Sequence, residues 1–372
     1  MDAATTRSGG VARPMTLALV AAAALTAFLA LVTFGVTATA APRGLPLVLA
    51  VDGAGLQRAS LERVAAQLRS RPGEEIAWRT AGSAAEARGL LDDRQAYGAL
   101  VLANAPAGSA PSVSVLVNGG MNPPGAQFAA LVLPQVAQQV AQQLVGAAAE
   151  AAGRPAPPVR FETVNPASVP GRTVPVAAGA LLWIAALVAS AVAFRLLQNA
   201  GLIHRRAVGA RVLLALLAGL TGTAVVAGFV TLWDSGLDVG WPVLGFLALV
   251  GTAFALLASA VLAWLGLRGL ALLGPLYLLA PAVAGQPAEF LDPPYRVLLW
   301  SWAPFRFSAD GLRSLLFFHG APGVGAPVAV FAGIAVVALG LLVAAPSRAR
   351  RADPPTLAPA APRRDITPAQ AS

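Results

Sequence analysis

The sequence predicts an α-helical integral membrane protein with about six transmembrane helices and a large extracytoplasmic α/β domain inserted between the first and second of them. Composition is the first reason: 57% of the 372 residues are hydrophobic and 12% charged, with a mean hydropathy of +0.69, whereas soluble domains carry about 25% charge. The second is a set of uncharged runs of membrane-spanning length. The third is one long stretch, residues 38–173, in which the short period of strands alternates with the longer period of helices.

A spanning helix needs about 20 apolar residues. Six runs meet that requirement: 15–37, 174–194, 212–233, 239–267, 269–287 and 323–345. Pro275 and Pro281 interrupt the fifth, which is expected to be kinked or re-entrant. Ala38 and Ala40 form an A-x-A pattern like that before a signal-peptide cleavage site. The apolar run ahead of them is longer than a signal-peptide core, so the first segment reads as a retained signal-anchor.

Arginine placement orients the chain, because short cytoplasmic loops carry the excess positive charge. Arg7 and Arg13 precede the first run; Arg195, Arg205, Arg206 and Arg211 surround the loop after the second; Arg268 sits in the next alternate turn. Residues 1–14, these turns and an arginine- and proline-rich tail at 346–372 are therefore expected to be cytoplasmic, the tail disordered. Asp234 and Asp238 occupy an opposite loop, and 288–322 balances Arg296, Arg306 and Arg313 against Glu289, Asp292 and Asp310. By alternation, 38–173 lies outside with them.

Within 38–173, PLVLAVD (46–52), EIAWRT (75–80), YGALVL and SVSVLVN read as strands. LQRASLERVAAQLRS (56–70) and SAAEARGLLDD (83–93) read as helices, and residues 125–153 as a long helix with Pro134 as a kink point. VRFETV adds an edge strand before the second span.

Residue types exclude much chemistry. Cysteine is absent and the only histidines are His204 and His319, which removes thiolate metal sites and makes metal catalysis improbable. All 26 cations are arginines, so the phosphate-gripping lysine of a P-loop is missing. The chain is read as no enzyme: it has no G-x-S-x-G elbow, and the outer domain has no histidine to act as a base. DGAG at 52–55 lacks the third glycine of a dinucleotide turn, and Asp92 and Asp93 point about 100° apart on a helix, as a solvated end rather than an acid/base pair. No Asp, Glu, Arg or His falls inside the six runs, which argues against proton coupling. Arginines that flank apolar runs reflect membrane orientation, not nucleic acid. No cofactor is expected. Ala255, Ser259 and Ala263, spaced by four, read as helix packing.

Two loops carry more information. LLQNAGLIHRRAVGAR (196–211) is short and basic, either for orientation alone or as a docking surface for a cytoplasmic partner. FRFSADGLRSLLFFHG (305–320) predicts an amphipathic helix capped by Ser308, with Leu312, Leu315, Leu316 and His319 on one face. With Trp300, Trp302 and Phe305 at headgroup level, the helix is expected to lie on the outer membrane surface near 308–319 and feed the last span. Leu312, Arg313, Leu316 and His319 are then candidates for an outer gate.

LPLVLAVDGAG, SAAEARGLLDDRQAYGALVL and FRFSADGLRSLLFFHG, with Gly311, Leu312, Arg313 and Gly320 at matching places, resemble the permeases of the ABC-2 type, in particular the YhgE/Pip-like branch. The order of span, large outer domain and five further spans is similar to that family along nearly the whole chain. Ala103 and Asn104 depart from the pattern where a proline is often seen, and the inner loop lacks an acidic residue. The resemblance implies a multi-pass exporter subunit of the bacterial cell membrane. It would work as a homodimer or with another permease, in contact with membrane lipid, and be driven by a separate cytoplasmic ABC ATPase. Gln198, Asn199, His204, Arg205 and Arg206 are the implied docking residues. The alternative is a non-transporting membrane-anchored protein whose outer domain binds an envelope component or partner.

Overall fold

The computed structural model describes residues 9–70, 73–103, 112–152, 159–200 and 204–346. The first residues of the expected N-terminus, Asn104 and the tail from Ser347 lie outside these. The described chain comprises a sheet domain and a set of long apolar helices.

The sheet domain follows from alternation along its strands. In β1 (Leu45–Asp52) the odd positions Leu45, Leu47, Leu49 and Val51 enter one core, and Val48 and Ala50 enter another on the opposite face. Burial on both faces is what a parallel strand covered by crossover helices requires. Those helices are α3 (Gly55–Ser70), leading to β2 (Ile76–Ala81), and α4 (Ala84–Asp92), leading to β3 (Gly98–Ala103). β2 and β3 pair with β1 on opposite sides, both parallel. Right-handed crossovers therefore put α3 and α4 on opposite faces. β4 (Ser112–Asn118) returns antiparallel to β3, and α5 (Pro123–Ala152) connects it to the parallel edge strand β5 (Val159–Val164). The order is β2-β1-β3-β4-β5. All eight elements expected here form, and α5 continues through Pro134.

Among the described residues five helical segments are long and apolar enough to cross a membrane, the build of a multi-pass membrane protein. The first combines α1 (Gly9–Ala30), a π turn at Leu31–Gly35 and α2 (Val36–Ala38). α6 (Val169–Ala200), α7 (His204–Trp233) and α8 (Trp241–Leu265) follow, and α12 (Gly325–Ala344) closes the described chain. α8 is the most enclosed and packs against α6, α7 and α12. Its crossing with α7 depends on backbone contact: Gly251 approaches the Cα of Gly219, where a Cβ would lie 3.0 Å away. Ala255 and Ser259 do serve packing: Ser190 Oγ donates to the Ala255 carbonyl at 3.1 Å, and Ser259 Oγ donates to Ser190 Oγ at 3.1 Å.

The segment expected at 269–287 is interrupted, as Pro275 and Pro281 predict, and forms the broken second half of the run Trp241–Ala284. Gly266, at φ 65°, ends α8 in the left-handed region that favours glycine, its N–H bonded to the Leu262 carbonyl. Short turns follow: Gly266–Arg268, α9 (Gly269–Leu273), Gly274–Leu278 and Ala280–Ala284. Pro275 and Pro281 prevent a regular ladder because neither has an N–H to donate. The run starts beside Trp264, whose indole donates to the Leu341 carbonyl near the end of α12, and finishes against α2 and the first helix's π turn. It therefore travels back to the end of the helices that carries the sheet domain.

After α10 (Pro293–Tyr295), α11 (Pro304–Phe317) differs most from expectation. It starts at Pro304, not at Ser308, and Ser308 is fully buried against Gly179 of α6, where an added Cβ would come 2.7 Å from its Oγ. Phe305 is not at headgroup level: its ring packs on Trp183 at 5.5 Å and on Phe254 at 5.6 Å in the helical core. A Cβ on Gly311 would lie 2.3 Å from the Phe246 ring, so α11 seats directly on α8. The helix is inserted between α6, α8 and α12 and does not lie on a surface.

Candidate functional site

Three places bring polar chemistry against this frame. The first is the junction where α11 meets the sheet domain. Arg94, left-handed at φ 61° in the turn after α4, reaches over to α11. Its Nη1 donates to the Asp310 carbonyl at 3.2 Å and to Ser314 Oγ, its Nη2 is 3.5 Å from Asp310 Oδ1, and its guanidinium sits 5.5 Å over the Phe318 ring. Arg313, one turn along, donates to the same Asp310 oxygen at 3.1 Å. Only 3% of the Arg313 side chain is exposed, so the one carboxylate is shared by two arginines, one of them buried, and the cluster keeps a net positive charge. Burial lowers the Arg313 pKa, and Asp310 opposes that shift. The Gly120 backbone lies so close to Phe317 that a Cβ there would be 2.6 Å away, which makes the contact continuous.

Tyr97 and Glu289 complete this junction. Burial, reinforced by Glu289, pushes the Tyr97 phenol well above its usual value. Burial also raises the Glu289 carboxyl; its own backbone N–H and the Tyr97 hydroxyl counteract this, and Asp310 adds to it. A raised folded-state pKa contributes stability at acid pH, below the unfolded value near 4.5, that is lost as pH rises through the folded value. Thermal midpoints in detergent should therefore fall between about pH 5 and about pH 8 for the wild type. Glu289→Gln should flatten that fall and exceed the wild type at the alkaline end. An unchanged slope in the variant would exclude Glu289 as its source.

The second place is the opposite end of the helices. Gln198 and Asn199 are exposed at the end of α6, and Arg205 and Arg206 are exposed at the start of α7 beside His204. Arg195 and Arg268 are exposed at the same end, and among the described residues none of these four arginines has an ion-pair partner. The five docking candidates do share one end, in two flanks around residues 201–203, which are not described. The outer-gate set is not brought together in that way. Leu312 and Arg313 are buried, Leu316 is half-buried against the helical core, and His319 is exposed beyond the last residue of α11.

Third, an apolar cleft of about 880 Å³ lies between α6 and α7 along the halves nearer the sheet domain. A smaller crevice of about 390 Å³ lies at the carboxyl ends of β1 and β2, lined by Arg58, Glu62, Arg69 and Glu86, with Arg58 and Glu62 paired at 2.7 Å. Asp92 and Asp93 are exposed, Asp92 accepting from Asn165 at 3.1 Å, in keeping with a solvated helix end. Sequence reasoning did not find the junction because Arg94 and Asp310 are 216 residues apart and no local period links them. The left-handed turn at Arg94 and the buried arginine of α11 are visible only in three dimensions. Comparison with family profiles, with curated proteins and with solved structures finds no match for this chain.

Proposed function

We propose that this chain is the membrane permease subunit of an ABC-2-type exporter, oriented with the sheet domain outside the cell membrane and the arginine-bearing ends of the helices in the cytoplasm. What carries the reading is the separation of charge along the helices. Arg195, Arg205, Arg206 and Arg268 are exposed at one end with no carboxylate among the described residues there, while Asp234, Asp238, Asp292 and Asp310 belong to the other. A membrane lying between them satisfies the positive-inside rule. Counting the broken run after Gly266 as a sixth crossing returns both termini to the cytoplasmic side.

Export needs energy, and a chain without lysine has no P-loop of its own. A separate ATPase meeting the exposed loop around Gln198, Asn199, His204, Arg205 and Arg206 supplies it. Two permeases, identical or not, complete the transporter. The test is purification of the tagged chain in mild detergent after crosslinking. A cytoplasmic ATPase with a P-loop is expected to copurify in near-equal amount; its absence overturns the proposal.

A second reading has one observation in its favour. Crevices outside the carboxyl ends of parallel strands commonly bind ligands, and the charged crevice over β1 and β2 lies in that position. In this reading the domain binds an envelope component and the helices only anchor it.

A further inference from the structure

The cleft between α6 and α7 is too large to be a packing defect: about 880 Å³ falls in the range of ligand pockets. Its walls are hydrocarbon, with Leu181 and Val188 on α6 facing Val225 and Phe229 on α7. Along α7 it runs from Ala218 to Trp233, about 22 Å at 1.5 Å per residue, longer than half the ~30 Å hydrocarbon core of a bilayer. A long, unbranched chain is the shape that fits.

The mouth is different. Asp234 lies there next to Trp233, whose ring is stacked on Phe229 with centroids 4.8 Å apart. The Asp234 carboxylate is held by Ser168: the Ser168 Oγ donates to it while accepting from the Gly171 N–H at 2.9 Å, which also caps α6. Gly171 permits this, since a Cβ there would stand 3.1 Å from the carboxylate oxygen. Among the described residues the ion pairs involve Asp292, Glu62, Glu162 and Asp310, so Asp234 has none. A fixed, unpaired carboxylate beside an exposed indole is the combination that attracts a quaternary ammonium.

We infer that the cleft between α6 and α7 is a binding site for a single-chain cationic amphiphile, its ammonium between Asp234 and Trp233 and its alkyl tail between the two helices. A choline phospholipid offers the same ammonium, but its phosphate would be brought toward the Asp234 carboxylate, which repels it. As the identity of an exported substrate, the inference rests on the permease reading. As a binding site it does not, because binding is measured without any ATPase.

The experiment is equilibrium binding of radiolabelled hexadecyltrimethylammonium to the full chain in nonionic maltoside micelles, with protein-free micelles subtracted. Saturable binding is expected for the wild type, with hexadecylphosphocholine and hexadecyl sulfate failing to compete. Asp234→Asn, which keeps the Ser168 contact, should weaken binding about tenfold, the scale of one charge-assisted contact. Val225→Trp, which fills the cleft, should abolish it while the elution profile stays that of the wild type. Equal affinity in Asp234→Asn, or equal competition by the sulfate, would mean that the cleft holds any acyl chain and would overturn the inference. So would the absence of saturable binding, or a Val225→Cys disulfide between two copies showing that a second chain fills the cleft.

Discussion

Asp310→Ala is expected to cost about 3 kcal/mol and to loosen the sheet domain from the helices. Removing the shared carboxylate leaves Arg94 and Arg313 together without a counter-charge, and Arg313, 3% exposed, cannot turn to water. Breaking a buried pair from one side costs about 3–5 kcal/mol, and the low end applies because Asp310 keeps 33% of its side chain exposed. The readouts are the thermal midpoint in detergent and the rate of limited proteolysis. The double variant Asp310→Ala with Arg313→Met should recover much of the loss, since the stranded charge goes with its partner. Wild-type behaviour in the single variant would show that the junction does not hold the two parts together.

Under the proposed permease function, Arg205→Glu combined with Arg206→Glu is expected to remove the ATPase entirely while leaving the protein inserted. Both side chains are exposed and, among the described residues, unpaired, so their reversal breaks no internal contact. The fold is therefore indifferent to them. Reversing two charges at the proposed docking surface would replace attraction with repulsion, and like charges brought together at an interface cost several kcal/mol. Arg195, Arg211 and Arg268 still keep that end positive, so orientation should be preserved.

Local periodicity explains which parts of this molecule the sequence disclosed. The strands and helices of the sheet domain were legible because the continuous apolar run PLVLAVD and the helical spacing of Leu61, Ala65 and Leu68 are properties of the segment itself, and the same residues form its cores. The long apolar helices were legible for a related reason: lipid demands a continuous apolar run. The strand order was not, because nothing in a strand's own period names its neighbours. α11 was misread for an instructive reason. Its amphipathic pattern and flanking tryptophans match a helix at a membrane surface, yet Gly311 and Ser308 let it sink onto Phe246 and Gly179, and its Asp310 finds Arg94 of the sheet domain as partner. An amphipathic helix with a polar partner elsewhere in the chain has the same local signature as one facing water. The Asp234 cleft was hidden similarly, since it is lined by two helices together and not by either one.

The docking claim comes down to a ratio. Wild type and the Arg205→Glu, Arg206→Glu variant would be crosslinked in cells and purified through the same tag, and the ATPase quantified by mass spectrometry per copy of permease, with membrane insertion verified for both. The account predicts near-equal amounts of ATPase and permease in the wild type and background in the inserted variant. An ATPase retained equally by both would contradict the docking surface, and none in either would contradict the permease itself.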